Sequence, residues 1–293
     1  MLGDKKEITA GDNSTNIQGK TVTIYNGISY MDAREIALQT FKDNFYELSE
    51  VAKNTALERA EYLINRFLEK LQKESPELIR KIIEPDIQYA VINAQKQYAR
   101  NEKYETLEIL SDLLKTRFQV EDEDSLKKIT INESIIAMEK ITITHIKYIT
   151  ALFLIKHSIL HPIDRLFNLL ELIITDDWSK YASDEIYFDH LEVAGVAKKE
   201  MINGYHEHLE PIIRAIYDKI ELDGMAPYEE DISANELTRQ KYFQTTERLA
   251  LSKKWNESTI KKFTLTGVGK VLAISYLNSV LNTDFDINIW IRN

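Results

Sequence analysis

The sequence predicts a predominantly α protein, a multi-helix array or bundle, with a short N-terminal β-hairpin or strand segment and a candidate C-terminal strand. Three observations carry that expectation. Only 9 glycines and 5 prolines punctuate 293 residues, too few for a fold rich in tight turns. From Ser29 onward apolar residues recur at steps of three and four, separated by charged ones, which is the helical period. Strict alternation of apolar and polar residues, the period of a strand, is confined to 21–25 and 285–291.

The opening stretch, Gly11-Asp-Asn-Ser-Thr-Asn-Ile-Gln-Gly-Lys-Thr-Val-Thr-Ile-Tyr-Asn-Gly27, contains Gly19, Lys20 and Thr21 in succession. A phosphate-binding loop needs a further glycine five residues before that triplet, a buried strand ahead of it and a helix behind. Ser14 stands at the glycine position, a polar segment precedes it and a strand pattern follows. The stretch reads instead as two short strands, about 15–18 and 21–25, turning at Gly19 and Lys20. An isolated hairpin is marginal in water, and this one has only Ile17, Val22 and Ile24 to bury. It either packs on its own helices or pairs with copies from neighbouring chains.

Ser29 is placed to cap the first helix, with Asp32 in its first turn. Ala33, Ala37, Phe41, Phe45, Leu48 and Val51, then Leu63, Phe67 and Leu71, continue at helical steps, and no proline intervenes before Pro76. Unbroken to about residue 73, this helix would be on the order of 65 Å long at about 1.5 Å per residue; a kink at 53–55 would shorten it. A helix of that length overhangs a compact domain. Phe41, Phe45 and Leu48 therefore join Ile17, Val22 and Ile24 as candidate contacts between copies.

Ser75, Pro76 and Glu77 open the next helix, with cap, N1 proline and acid in favoured places. Pro85 interrupts it and Asp86 restarts the chain into 87–100. Helices at about 102–119, 124–140 and 144–157 follow on short linkers, with no repeated motif behind the rhythm. Polar breaks at 175–184 and 222–231 suggest three units: a β-segment at 1–28, a helical domain at 29–175 and a C-terminal helical domain at 176–293. Beyond the second break come a helix at 232–251, a short one at 255–263 and a capped helix after Leu265. The terminal strand would pair with 187–189 or with the N-terminal hairpin.

Acidic residues outnumber basic ones, 47 to 37, giving a net charge of -10. That balance works against nucleic acid or an anionic membrane as the main partner. Cysteine is absent, which removes disulfides, thiolate metal sites and thiol catalysis. No charged and apolar leader opens the chain and no apolar run reaches bilayer length. The expectation is a cytoplasmic protein without a cofactor and without a membrane partner.

Several pieces resemble a family of functionally uncharacterised bacterial proteins. They are Gly11-Asp-Asn-Ser-x-Asn16, Gly27-Ile-Ser-Tyr-x-Asp-Ala-Arg-x-Ile-Ala37, Phe41-Lys-x-Asn-Phe45, Ala94-Gln-Lys-x-Tyr-Ala-Arg100, Ile131-Asn-Glu-Ser134, Phe153-Leu154, Leu265-Thr-x-x-Gly269 and Ile289-Trp-Ile291. The resemblance implies a bacterial, cytosolic protein, and a place in antiviral or other conflict systems is an expectation that no residue here carries. The resemblance carries over no activity. The related openings continue into a more glycine-rich strand than Gln18-Gly-Lys-Thr21, so a shared β-stack would be shorter here.

Candidate chemistry is sparse. His157 and His161 have the i, i+4 spacing of helical metal pairs, but Pro162 ends the helix and no acid lies between them. His206-Glu-His-Leu-Glu210 gathers imidazoles and carboxylates, yet i and i+2 residues of a helix point apart. His145 and His190 stand alone in sequence. Glu121-Asp-Glu-Asp124 lacks the turn glycine and alternating ligands of a calcium loop and reads as a linker. Gly267-Val-Gly269 is too short for a dinucleotide fingerprint. Lys253, Lys254, Lys261 and Lys262 make a locally basic stretch, punctuated like a small DNA-binding module.

Three functional classes follow. The first is a non-enzymatic helical scaffold that self-assembles into a homo-oligomer through its β-segment and first helix and meets a further protein partner. The second is a regulator with a DNA-binding C-terminal module built on the four lysines. The third is an enzyme with a dispersed site of histidines and acids around His190 and His206.

Overall fold

Ser29 starts the first helix as the sequence places it. Its Oγ accepts from the Asp32 N–H at 3.2 Å, while its own N–H donates to Asp32 Oδ2 at 2.9 Å. This reciprocal cap satisfies two of the amides that a helix start leaves open. The computed structural model describes residues 27–44, 49–120, 126–200, 208–218, 238–283 and 285–287. The hairpin expected at 15–25 lies outside the described residues, as does most of the terminal strand.

The single long helix expected from 29 to about 73 is two helices. α1 (Tyr30–Asn44) and α2 (Glu50–Glu74) pack side by side in opposite directions. Arg34 Nε donates to Asn65 Oδ1 at 3.0 Å and its guanidinium pairs with Glu61, while Phe41 lies against Ala56 and Ala60. Neither glycine nor proline marks the reversal. The local sign is Ser49 at the N-cap position followed by Glu50 in the first turn. The apolar period continues across it because both helices turn a face to α3 (Pro85–Arg100). The extra length that pointed to partner contact is therefore absent.

A 3₁₀ segment, Pro76–Ile83, joins α2 to α3, and each begins with proline in its first turn, where the missing N–H costs nothing. α4 (Tyr104–Gln119), α5 (Leu126–Ala137) and α6 (Ile143–Lys156) follow. Nearly every residue of α6 from His145 to Ile155 is buried, so it forms the centre of the body. α7 (Ile163–Ile173), a 3₁₀ turn at Asp176–Lys180 and α8 (Glu185–Val193) wrap around it. α9 (Leu209–Ile213), a helical turn at 238–242 and α10 (Thr246–Asn256) come next. The helix expected over 232–251 is thus interrupted, because Thr245 begins a new one by accepting from the Arg248 N–H at 3.3 Å.

α11 (Gly267–Val280) enters the body between α4, α5 and α6. Among the described residues, the larger of two apolar clusters draws its members from Ala33 to Ile287, and Phe41, Ala56, Ala60 and Ala99 form the smaller. The polar stretch at 175–184 is tied into the larger cluster: Trp178 is buried, its Nε1 donates to the Lys254 carbonyl at 3.2 Å, and its own carbonyl accepts from the Tyr148 hydroxyl. The sheet has two antiparallel strands, β1 (Ala197–Lys199) and β2 (Phe263–Leu265), with Lys198 opposite Thr264. Residues 187–189, considered as a partner for the terminal strand, belong to α8. Among the described residues, no helix is long and apolar enough to cross a membrane.

Candidate functional site

His145 and His190, solitary in sequence, are brought to 5.9 Å between ring centroids. His145 is the third residue of α6, and its Nδ1 accepts from the Thr142 N–H at 3.1 Å. Thr142 Oγ1 accepts in return from the His145 N–H at 3.2 Å. Imidazole thus takes the part of the glutamate in a capping box. With Nδ1 accepting, Nε2 carries the proton and donates to the Tyr187 carbonyl at 3.1 Å. The ring stacks on Tyr187 at 3.9 Å, and Tyr187 on Tyr181 at 4.3 Å. Burial lowers the His145 pKa to about 4, so the ring is neutral, with both nitrogens engaged. His190 Nε2 donates to the Lys140 carbonyl at 2.6 Å. Both histidines therefore hold the turn between α5 and α6.

His157 and His161 do not form a ligand pair. His157 caps the C-terminus of α6, and its Nε2 accepts from the Leu265 N–H at 3.4 Å. Burial, with Lys270 and Lys156 adding to it, lowers its pKa to about 4. His161 is exposed beyond the helix end.

His206 lies outside the described residues, and His208 sits 3.5 Å from Lys261 Nζ. Glu210 is buried. It accepts from Ser252 Oγ at 2.7 Å and from Asn256 Nδ2 at 3.0 Å, with Arg239 at 3.4 Å. Burial pushes this carboxyl up, but the hydrogen bonds of Asn256 and Ser252 outweigh it and hold the group below its ordinary value. The result is a charged brace between α9 and α10. Among the described residues, no three His, Cys, Asp or Glu side chains gather as a metal site.

The four lysines have partners within the chain. Lys254 meets Asp176 at 3.3 Å, Lys262 meets Glu185 at 3.2 Å and Lys253 meets Glu257 at 4.0 Å, while Lys261 donates to the Asn256 carbonyl. Three of the four thus face a carboxylate. Of the candidate contacts between copies, Phe41 is fully buried against Ala56, Ala60 and Ala99 of its own chain. Ile17, Val22, Ile24, Phe45 and Leu48 lie outside the described residues, as does the acidic run at 121–124.

Directly beside the two histidines is a cleft of about 280 Å³ where four helix ends meet. The last turn of α3 contributes Gln97 and Arg100, the first turn of α4 Thr106, and the turn from α5 into α6 Glu139, Lys140 and Thr142. Gln97 is 8% exposed and Thr106 5% exposed. Arg100 pairs with Glu139 across the opening. Gln97 occupies the apolar face of α3 defined by Ala90 and Ala94. A polar residue at such a position was the one available sequence signal for this cleft.

A family model describing a group of uncharacterised proteins matches residues 27–247 and residues 228–291. The match covers well over half of the 293 residues, and the chain belongs to that family. No curated protein and no solved structure matches it.

Proposed function

We propose that the protein is a cytoplasmic helical scaffold that self-associates through its opening β-segment, residues 1–28, carried by the α1–α2 hairpin. The observation that carries this reading is the joint at Ser29. The reciprocal cap with Asp32 begins α1 there, and Arg34 braces α1 to Glu61 and Asn65. A strand pattern with only Ile17, Val22 and Ile24 to bury precedes this braced pair of helices in the sequence. Three apolar side chains do not stabilise a lone hairpin, whereas pairing with the same segment of other copies completes it. Met31, 63% exposed in the first turn of α1, extends the apolar surface at that joint.

The buried ionisable groups support a structural reading over a chemical one. His145 has both nitrogens bonded, Glu210 accepts from several donors, and Glu108, 4% exposed, joins Arg66 and Lys70 of α2 to α4. The test is sedimentation velocity on the full chain carrying Val22→Asp with Ile24→Asp. Dissociation to a monomer of unchanged helical content is expected. A mass equal to that of the unaltered protein would contradict the reading.

A further inference from the structure

We propose that the cleft between the α3–α4 and α5–α6 turns is a binding site for a small ligand bearing a carboxylate or phosphate oxyanion. This inference is independent of self-association.

Four observations converge on it. The first is the unpartnered polar surface on the floor. Gln97 and Thr106 are both more than nine-tenths buried and line the cleft, yet neither side chain makes a hydrogen bond among the described residues. They are not among the sealed polar atoms without a partner, which are Asn93 Nδ2, Gln95 Oε1 and Ser111 Oγ and which no ligand reaches. The amide of Gln97 and the hydroxyl of Thr106 open onto space.

The second observation is charge. Arg100 and Lys140 stand at the rim against one carboxylate, Glu139, in a chain whose net charge is -10. The Arg100–Glu139 pair is solvent-exposed on both sides, 60% and 49%, and exposed pairs hold weakly. An incoming oxyanion can take over the guanidinium fork, which matches carboxylate and phosphate geometry.

The third is helix polarity. The N-termini of α4 and α6, carrying partial positive charge, meet at the cleft through Thr106 and Thr142. The C-termini of α3 and α5 bring the opposite partial charge, which Arg100 and Lys140 offset.

The fourth is rigidity. His145 fixes Thr142 and His190 holds the Lys140 carbonyl, so the rim is positioned before a ligand arrives, and preorganisation favours affinity. Both act as positioning residues. A volume of about 280 Å³ falls at the small end of ligand sites, which selects a compact metabolite over a dinucleotide.

The experiment is isothermal titration of the full chain with inorganic phosphate and, separately, with succinate. Saturable binding of one or both is expected, and the one bound identifies the oxyanion. Arg100→Ala and Lys140→Ala, both at exposed positions, each weaken it about tenfold, while Lys198→Ala on β1 leaves it unchanged. Gln97→Met keeps the side-chain volume and removes the unpaired amide. It weakens binding at least fivefold and leaves the thermal midpoint of the ligand-free protein near its original value, a combination a purely structural glutamine would not give. Absence of saturable binding by both probes, or binding that Arg100→Ala and Lys140→Ala leave unaltered, overturns the proposal.

Discussion

Gly269 rests on the carbonyl oxygen of Val196 so closely that a Cβ at that position would overlap it. The same oxygen accepts from the Thr266 N–H at 3.1 Å, and Thr266 Oγ1 caps α11 by accepting from the Gly269 N–H at 3.2 Å. One carbonyl thus anchors the end of β2, the cap of α11 and the packing of its first turn.

Gly269→Ala must displace backbone, not a flexible side-chain tip. Overpacking of this kind costs about 1–3 kcal/mol. Gly267, whose nearest neighbour to an added Cβ is Thr130 Cγ2 at 3.4 Å, has ordinary room. Chemical denaturation is expected to show a lower midpoint for Gly269→Ala and a near-native one for Gly267→Ala. Equal effects would contradict the packing.

Arg117, 2% exposed, pairs with Asp86 and donates to Asn132 Oδ1 at 3.1 Å, joining α4 to α3 and α5. Arg117→Ala leaves no buried charge unpaired, because Asp86 is 40% exposed and keeps Lys128 at 3.1 Å. The cost comes from the cavity and the lost bond to Asn132, and a loss of about 2–3 kcal/mol is expected. Denaturant unfolding measures it, and a loss below about 1 kcal/mol would show that the pair is dispensable.

Burial depresses His145 and His157 from the usual 6.5 to about 4. Between those values the unfolded chain binds protons that the folded chain excludes, so acidification favours unfolding. Stability is therefore expected to fall as pH is lowered from 6.5 toward 4. His157→Gln, which keeps a group able to accept from the Leu265 N–H, should flatten that slope. Glu210 acts in the same direction at lower pH. Its carboxyl is held below its ordinary value, so its contribution is present above the usual carboxylate range and is lost as pH falls below it.

Glu210→Ala leaves Ser252 Oγ and Asn256 Nδ2 without their acceptor, although those two groups also meet each other at 3.2 Å. A loss of about 1–3 kcal/mol follows from the unpaired donors. It is read from thermal unfolding, and no change in midpoint would mean that water replaces the carboxylate.

Much of the fold was legible because its signals are local. Apolar periodicity, Ser29, the prolines at 76 and 85 and the Thr266 cap each mark a helix or its end within a few residues. The reversal between α1 and α2 was not, since its cause is a shared face on α3 and its only local sign is Ser49. The β1–β2 ladder was also hidden. Three residues per strand are too few for a period, and the pairing joins positions distant in sequence. For the sites, local spacing carried little information. His157 and His161 have ligand spacing and face different surroundings, while His145 and His190, 45 residues apart, meet across α6 and α8. Gln97 and Thr106 are neutral and match no motif, so only their helical neighbours reveal that they are buried.

The most direct test of self-association is light scattering after size-exclusion chromatography on the full chain and on residues 28–293, which retain the Ser29 cap. An oligomer for the full chain and a folded monomer for the shortened one is the expected result. The same mass for both, whether monomer or oligomer, would contradict assembly through the opening segment.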